Sequence, residues 1–351
     1  MGIPGEDLLG SHPATEFVAW YNGHPDYRDC QFDLSVERAV VVGVGNVAID
    51  VARILSRTPE ELAETDIADY ALEALSRSHI KEVILMGRRG PVQAAFTTPE
   101  VKEIGEMQGA DVMALPEEAA LDPLSQADLD ADSDRALRQK VEIIQKYAGG
   151  QRTGKPKLLI LRFLMSPTEL IGEGGRVVGM KAVRNELTRT DVGTLRPRAT
   201  SQTEDISCGL VFRSIGYQGV PLPGVPFHES WGVILNEHGR VIDSESRQPI
   251  PGLYTAGWIK RGPSGVIGTN KPDSVETANC MLEDRQVGKV FSPSQPDRDA
   301  FLTFIRQRQP RFVSYAEWLK LDALEIQRGA ERGSPRLKFT RVEDMLTALG
   351  K

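Results

Sequence analysis

An α/β fold built on parallel strands is predicted by three observations. Arg38–Val42 and Lys81–Met86 are short apolar runs of the kind buried in parallel sheets. The first runs straight into the turn Gly43-Val-Gly-Asn-Val-Ala48, followed by apolar residues at Val47, Val51, Ile54 and Leu55, the stripe of a helix with one buried face. Finally, 351 residues that are 40% hydrophobic and 26% charged can bury one large or two ordinary cores.

Gly2–Asp33 is turn-rich, with a short helix expected over Ala14–Tyr21 and no strand. Arg38–Arg57 then forms strand, turn and helix. Gly43 permits the tight exit, Gly45 lets the backbone approach a pyrophosphate, and Ala48 keeps the helix close to the strand. The helix N-terminus offers unpaired amides to an anion. A helical insertion, Thr58–Ser78, precedes the second strand. That strand ends on Arg88 and Arg89, where an NAD site would carry an acidic residue for the ribose 2′-hydroxyl; two guanidinium groups suit a 2′-phosphate instead.

Beyond the arginines, Pro99–Gly105 reads as a helix, Glu117–Asp134 as a solvated acidic face or loop, and Arg135–Tyr147 as a helix with Leu137, Val141 and Ile144 on one side. Leu158–Met165, Thr168–Ile171 and Val177–Leu187 are expected to form an antiparallel meander, and Cys208–Ile215 a further strand. Gly252–Asn270 is an apolar strand followed by a glycine-rich turn with bare backbone at 262, 265 and 268, and Asp273 or Ser274 is expected to cap the next helix. Such a turn suits close approach by a flat ligand, on which Trp258 could pack. Asp297–Lys351 reads as helices packing on this second lobe. The expected domains are 1–220, a dinucleotide-binding domain that includes the meander, and 221–351.

The net charge of −7 gives no reason to expect nucleic acid as a partner, and no uncharged stretch is long enough to span a bilayer. Cys30, Cys208 and Cys280 are widely spaced and odd in number, against a disulfide framework and in keeping with a reducing cytoplasm. The five histidines show no metal spacing.

Taken together, Gly-Ile-Pro-Gly-Glu-Asp, Ala-Thr-Glu-Phe-Val-Ala-Trp-Tyr-Asn-Gly-His-Pro-Asp-Tyr, Gly-Val-Gly-Asn-Val-Ala-Ile-Asp-Val-Ala-Arg-Ile-Leu, Gly-Arg-Arg-Gly-Pro, Gln-Ala-Ala-Phe-Thr-Thr-Pro-Glu, Ser-Ile-Gly-Tyr and Gly-Trp-Ile-Lys-Arg-Gly-Pro-Ser-Gly-Val-Ile-Gly-Thr-Asn are a specific set. With them the chain resembles the adrenodoxin-reductase-like branch of ferredoxin–NADP reductases. The resemblance implies two interleaved Rossmann-like dinucleotide-binding domains of the glutathione-reductase type. The implied enzyme uses FAD to move electrons between NADPH and a ferredoxin-type iron–sulfur protein. By the same resemblance Gly43, Gly45, Asn46, Val47 and Ala48 hold the NADP pyrophosphate, Arg88 and Arg89 the 2′-phosphate, and Glu100 lies near the nicotinamide as the one catalytic side chain. Trp258, Gly265, Val266 and Ile267 would contact FAD.

Members of that family open with a strand and a Gly-x-Gly-x-x-Gly turn for the adenosine diphosphate of FAD. These residues lack one, so the FAD domain is expected to be incomplete and its hold on the flavin weakened. Two alternatives follow: a non-catalytic NADPH-binding lobe, or another NADPH-dependent flavoprotein electron-entry subunit, which would normally bring cysteine-rich iron–sulfur ligation. The densest basic cluster, Arg135, Arg138, Lys140, Lys146, Arg152, Lys155 and Lys157, is the expected docking surface for an acidic iron–sulfur partner.

Overall fold

The computed structural model describes residues 1–265 and 267–351. They form two compact units, Met1–Ile215 with Val313–Lys351, and Gly216–Phe312.

The first unit is built on a six-stranded sheet in which every pairing is parallel. Its strands are β1 (Ser11–Pro13), β2 (Arg38–Val42), β3 (Glu82–Met86), β4 (Ala110–Ala114), β5 (Lys157–Arg162) and, after the meander, β9 (Leu210–Arg213). Their spatial order is β1-β9-β2-β3-β5-β4. The central strands are apolar on both faces because both are covered. Ala39, Val41, Val83, Leu85, Leu159, Leu161 and Phe212 point into one core. That core is filled by α1 (Ala14–Tyr21), α2 (Asn46–Ser56), α4 (Asp69–Ser76), α5 (Thr98–Ile104) and α8 (Arg135–Ala148), through side chains such as Phe17, Ile49, Leu55, Ile104 and Ile144.

The alternate residues, Val40, Val42, Ile84, Met86 and Val211, meet a second sheet instead of more helices. This sheet is the antiparallel meander β6 (Met165–Glu173), β7 (Arg176–Arg189) and β8 (Leu195–Ser207), which supplies Met165, Leu170, Val177, Met180 and Ile206. The unit is therefore layered as helices, parallel sheet and meander.

Several expectations are corrected here. Leu158–Met165 is not a meander strand: its first part is β5, paired parallel with β3 and β4. Leu164, at φ +57°, then turns the chain into β6. The third meander strand is the polar segment β8, and a strand does precede the first βαβ unit, since β1 pairs with β9. Glu117–Asp134 is a helical and mostly exposed face and not a loop, since α6 (Pro116–Ala119) overlaps its start and α7 (Pro123–Ala131) lies within it. Glu118 is fully buried, accepting from Arg162 Nη2 at 2.8 Å and from the Phe163 amide at 2.8 Å. The short helix α3 (Pro59–Ala63) carries a capping box between Thr58 and Glu61.

α12 (Tyr315–Ala330) and α13 (Val342–Ala348) were expected on the second lobe but belong to the first unit. Arg332 pairs with Asp69 at 2.6 Å, Lys338 with Asp66 at 3.0 Å, and Arg28 donates to Thr340 at 3.1 Å.

The second unit contains the hairpin β10 (Phe227–His228) and β11 (Val233–Ile234), and the sheet β12 (Asn236–Glu237), β13 (Arg240–Ile242) and β14 (Pro249–Tyr254). The helices α9 (Trp258–Arg261), α10 (Asn270–Gln286) and α11 (Arg298–Arg308) complete it. No helix among the described residues is long and apolar enough to cross a membrane.

Candidate functional site

In the first unit the chain passes from β2 to β3 on one side and returns to β9 on the other, so the carboxyl ends of β2 and β9 form a topological switch point, where ligands of open parallel sheets bind. Gly43 and Gly45 sit there for different reasons. Gly43 has φ +131°, and a Cβ on it would fall 2.0 Å from the Ser214 carbonyl oxygen. At Gly45 the same atom would meet nothing within 4 Å, so the fold places no steric demand for glycine there and the space in front of it is open. Gly45 also precedes the first turn of α2 without offering a capping side chain, which leaves that turn's amides to an external acceptor. Ala48 is fully buried under the turn, and Val47 is partly buried beside it.

A strap after β3 braces the turn. The amides of Ala95 and Phe96 donate to the Val44 carbonyl at 2.8 and 2.9 Å, and the Thr97 amide donates to Asn46 Oδ1 at 2.9 Å. Asn46 therefore fixes the turn from its own side chain, a role its position in the motif did not reveal.

Arg88 is exposed and Arg89 half-buried just past the carboxyl end of β3. Neither guanidinium pairs with a carboxylate among the described residues. Burial, and then the neighbouring charge of Arg88, push Arg89 below its ordinary value. Two adjacent cations without a counter-charge form a place where an anion binds favourably. The main chain that carries them is held by the meander: Leu164 donates to the Arg89 carbonyl at 3.1 Å, and Asn185 Nδ2 to the Arg88 carbonyl at 2.9 Å.

Glu100, in the first turn of α5, is ion-paired with Arg53 of α2. Arg53 also binds Glu103 at 2.8 Å and Asp50 at 2.9 Å, so one guanidinium gathers three carboxylates. Sequence reading missed Arg53 because two of its partners, Glu100 and Glu103, lie on another helix.

In the second unit the turn after β14 presents Trp258 about half exposed, its ring stacked on Tyr217 with centroids 6.0 Å apart. Cβ atoms at Gly257, Gly262 and Gly268 would meet nothing within 4 Å, whereas Gly265, at φ +82°, sits against Thr269. The expectation that Asp273 or Ser274 caps α10 is corrected, since the helix begins at Asn270 and holds both. Asp273 instead accepts the Gly257 amide at 2.5 Å and pairs with Lys260 and Arg261, each at 3.3 Å. Ile267 begins a short 3-10 turn, and Val266 lies outside the described residues. This bare cradle with an exposed indole fits the flat ring system of a flavin.

Three of the seven residues of the expected basic docking surface are absorbed by the fold. Lys140 is buried and donates to the Ala94 carbonyl at 2.5 Å, Lys155 to Met107 at 2.5 Å, and Lys157 to Leu55 and Arg57 at 2.7 and 3.2 Å. Arg135, Lys146 and Arg152 remain exposed.

A bare glycine turn at a switch point, an arginine pair lacking a counter-charge and a three-layer α/β unit mark a dinucleotide-binding α/β protein. Comparison with known proteins narrows the class. The NADPH-ferredoxin reductase FprA of Mycobacterium leprae is 42% identical over 351 residues, covering 99% of this chain and 74% of that protein. The mitochondrial NADPH:adrenodoxin oxidoreductase of Mus musculus is 40% identical over 361 residues, covering 100% and 71%. Among solved structures, Mycobacterium tuberculosis FprA in complex with NADPH superposes with a TM-score of 0.91 at 40% identity, covering 100% of this chain and 76% of that one. No protein-family model matches. The chain belongs to the family of NADPH-dependent ferredoxin and adrenodoxin reductases.

Proposed function

We propose that this protein is an FAD-dependent oxidoreductase that transfers electrons between NADPH and a ferredoxin-type iron–sulfur protein. The observation that carries the cofactor reading is the Arg88–Arg89 pair, which has no carboxylate partner among the described residues and stands next to a glycine turn whose outer side is open.

In this reading the first unit holds NADP. Gly45, Asn46, Val47 and Ala48 take the pyrophosphate on the N-terminus of α2, and Arg88 and Arg89 take the 2′-phosphate. Glu100, held in place by Arg53, is the side chain assigned to the nicotinamide. Gly216–Phe312 carries the isoalloxazine half of the FAD site, with Trp258 and the 262–269 turn against the ring. When bound, NADPH supplies a hydride and FAD converts the electron pair to single electrons. The chain's own contribution is placement, so no nucleophile is needed. Buried Cys208 and Cys280 and half-buried Cys30 suit a reducing cytoplasm, the compartment we assign.

The reading is tested by titrating the chain with NADP⁺ and NAD⁺. Replacing Arg88 or Arg89 by Ala is expected to weaken NADP⁺ by roughly ten- to a hundredfold and leave NAD⁺ unchanged. Equal affinity for both nucleotides in the parent chain would contradict it.

A further inference from the structure

Asn185 lies in β7 where the pairing with β8 slips, between Val183 opposite Thr203 and Asn185 opposite Ala199. It is 5% exposed. Its amide N–H donates to the Leu164 carbonyl at 2.6 Å, carrying the β6–β7 pairing one residue beyond Met165 opposite Arg184. Its side-chain Nδ2 uses both protons, one on the Arg88 carbonyl at 2.9 Å and one on Ser166 Oγ at 2.8 Å. The other restraints on the arginine tip are main chain to main chain: Gly87 donates to Arg162, Met165 to Gly87 and Leu164 to Arg89. Asn185 is thus the side chain that ties the meander to the residue presenting the outer guanidinium.

We infer that Asn185 is a positioning residue for recognition of the nucleotide 2′-phosphate and hence for discrimination between NADPH and NADH. This rests on the assignment of Arg88 and Arg89 to that phosphate. A buried amide that fixes the Arg88 main chain sets the direction from which its long side chain leaves the strand. A phosphate contact by a guanidinium fork depends on that direction, whereas a ribose 2′-hydroxyl makes no such demand. The Asn185 side chain reaches the tip from β7, so the meander, which the sequence marks only as a structural layer, takes part in cofactor choice.

The test is calorimetric titration of the full 351-residue chain with NADP⁺ and, separately, NAD⁺, for the parent, Asn185→Ala, Arg88→Ala and the double variant. Asn185→Ala is expected to weaken NADP⁺ about fivefold and leave NAD⁺ unchanged, with little further loss once Arg88 is Ala. If Arg88→Ala alone fails to lower NADP⁺ affinity, the phosphate assignment itself falls. If Arg88→Ala is selective but Asn185→Ala changes neither nucleotide, or both equally, the assignment stands and the role of Asn185 is refuted. Should Asn185→Ala not fold, Ser166→Ala releases the same amide from its other partner. A selective loss of NADP⁺ affinity supports the inference, and equal effects on both nucleotides overturn it.

Discussion

Gly43 approaches Ser214 so closely that a single added carbon would sit 2.0 Å from the Ser214 carbonyl oxygen, and the Ser214 amide in turn donates to Val42 at 2.7 Å. The end of β9 and the glycine turn after β2 are thus locked together at the switch point of the sheet. The next residue but one, Gly45, is under no such constraint, which separates a folding requirement from a binding one within three residues.

Gly43→Ala is therefore expected to lower stability by about 1–3 kcal/mol or to prevent folding, through strain at positive φ and the Ser214 clash. Gly45→Ala should melt within a few degrees of the parent yet lose on the order of tenfold in NADP⁺ affinity, because its methyl group occupies the open side of the turn. Thermal melts and nucleotide titrations of the two variants read the split directly. A Gly45→Ala protein that binds NADP⁺ like the parent would remove the turn from the site.

Glu118 and Arg162 form a buried pair, with Glu204 completing the fork of Arg162 at 2.7 Å from Nη2. Glu118→Leu alone strands part of a buried guanidinium and should cost on the order of 3 kcal/mol by chemical denaturation. Adding Arg162→Met should recover part of that loss. A double variant less stable than Glu118→Leu would contradict this reading of the pair.

The hydrogen bond from Arg162, aided by the charges of Arg162 and Arg184 against the opposing effect of burial, holds the Glu204 carboxyl below the usual carboxylate range. A folded-state value below the unfolded one means that the contribution is complete above the unfolded value and is lost as pH falls through the folded one. The stability difference between parent and Glu204→Gln should thus shrink between about pH 7 and about pH 3. Denaturation midpoints that differ equally at both ends would exclude the mechanism.

Lys157 places its ammonium on the Leu55 and Arg57 carbonyls at the C-terminal end of α2, and burial pushes it down to about 8. Lys157→Glu should therefore destabilise the fold by about 2 kcal/mol or more, since it removes two hydrogen bonds and brings a carboxylate to carbonyl oxygens. Reversal of exposed Arg135 should leave the melting temperature nearly unchanged. If Lys157→Glu melts like the parent, the lysine is a surface charge after all.

Much of this was legible because the relevant signals are local. β2, β3, α1 and α2 follow from apolar runs, a 3.6-residue stripe and a glycine turn, all within a few residues of one another. β4 was missed because Asp111 interrupts it, and that carboxylate is satisfied by Thr153 and Gly154 from a distant loop. β8 was missed because its residues are mostly polar and exposed, as in a sheet-edge strand with one open face. Glu118 looked like one of a run of solvated acids because Arg162 lies 44 residues away. Separations of 97 and 47 residues likewise hid Asn185 behind Arg88 and Arg53 behind Glu100. Lys140, Lys155 and Lys157 looked like a charged patch because composition does not record that their ammonium groups end on backbone carbonyls.

The most direct test of the central claim is the visible spectrum of the purified chain after incubation with FAD and desalting, followed anaerobically by NADPH and then by an oxidised ferredoxin. The account predicts a retained flavin band that bleaches with NADPH, far less with NADH, and recovers as the ferredoxin is reduced. A protein that binds NADP⁺ but leaves the desalting column colourless, or whose flavin ignores NADPH, would contradict the assignment of electron transfer to this chain.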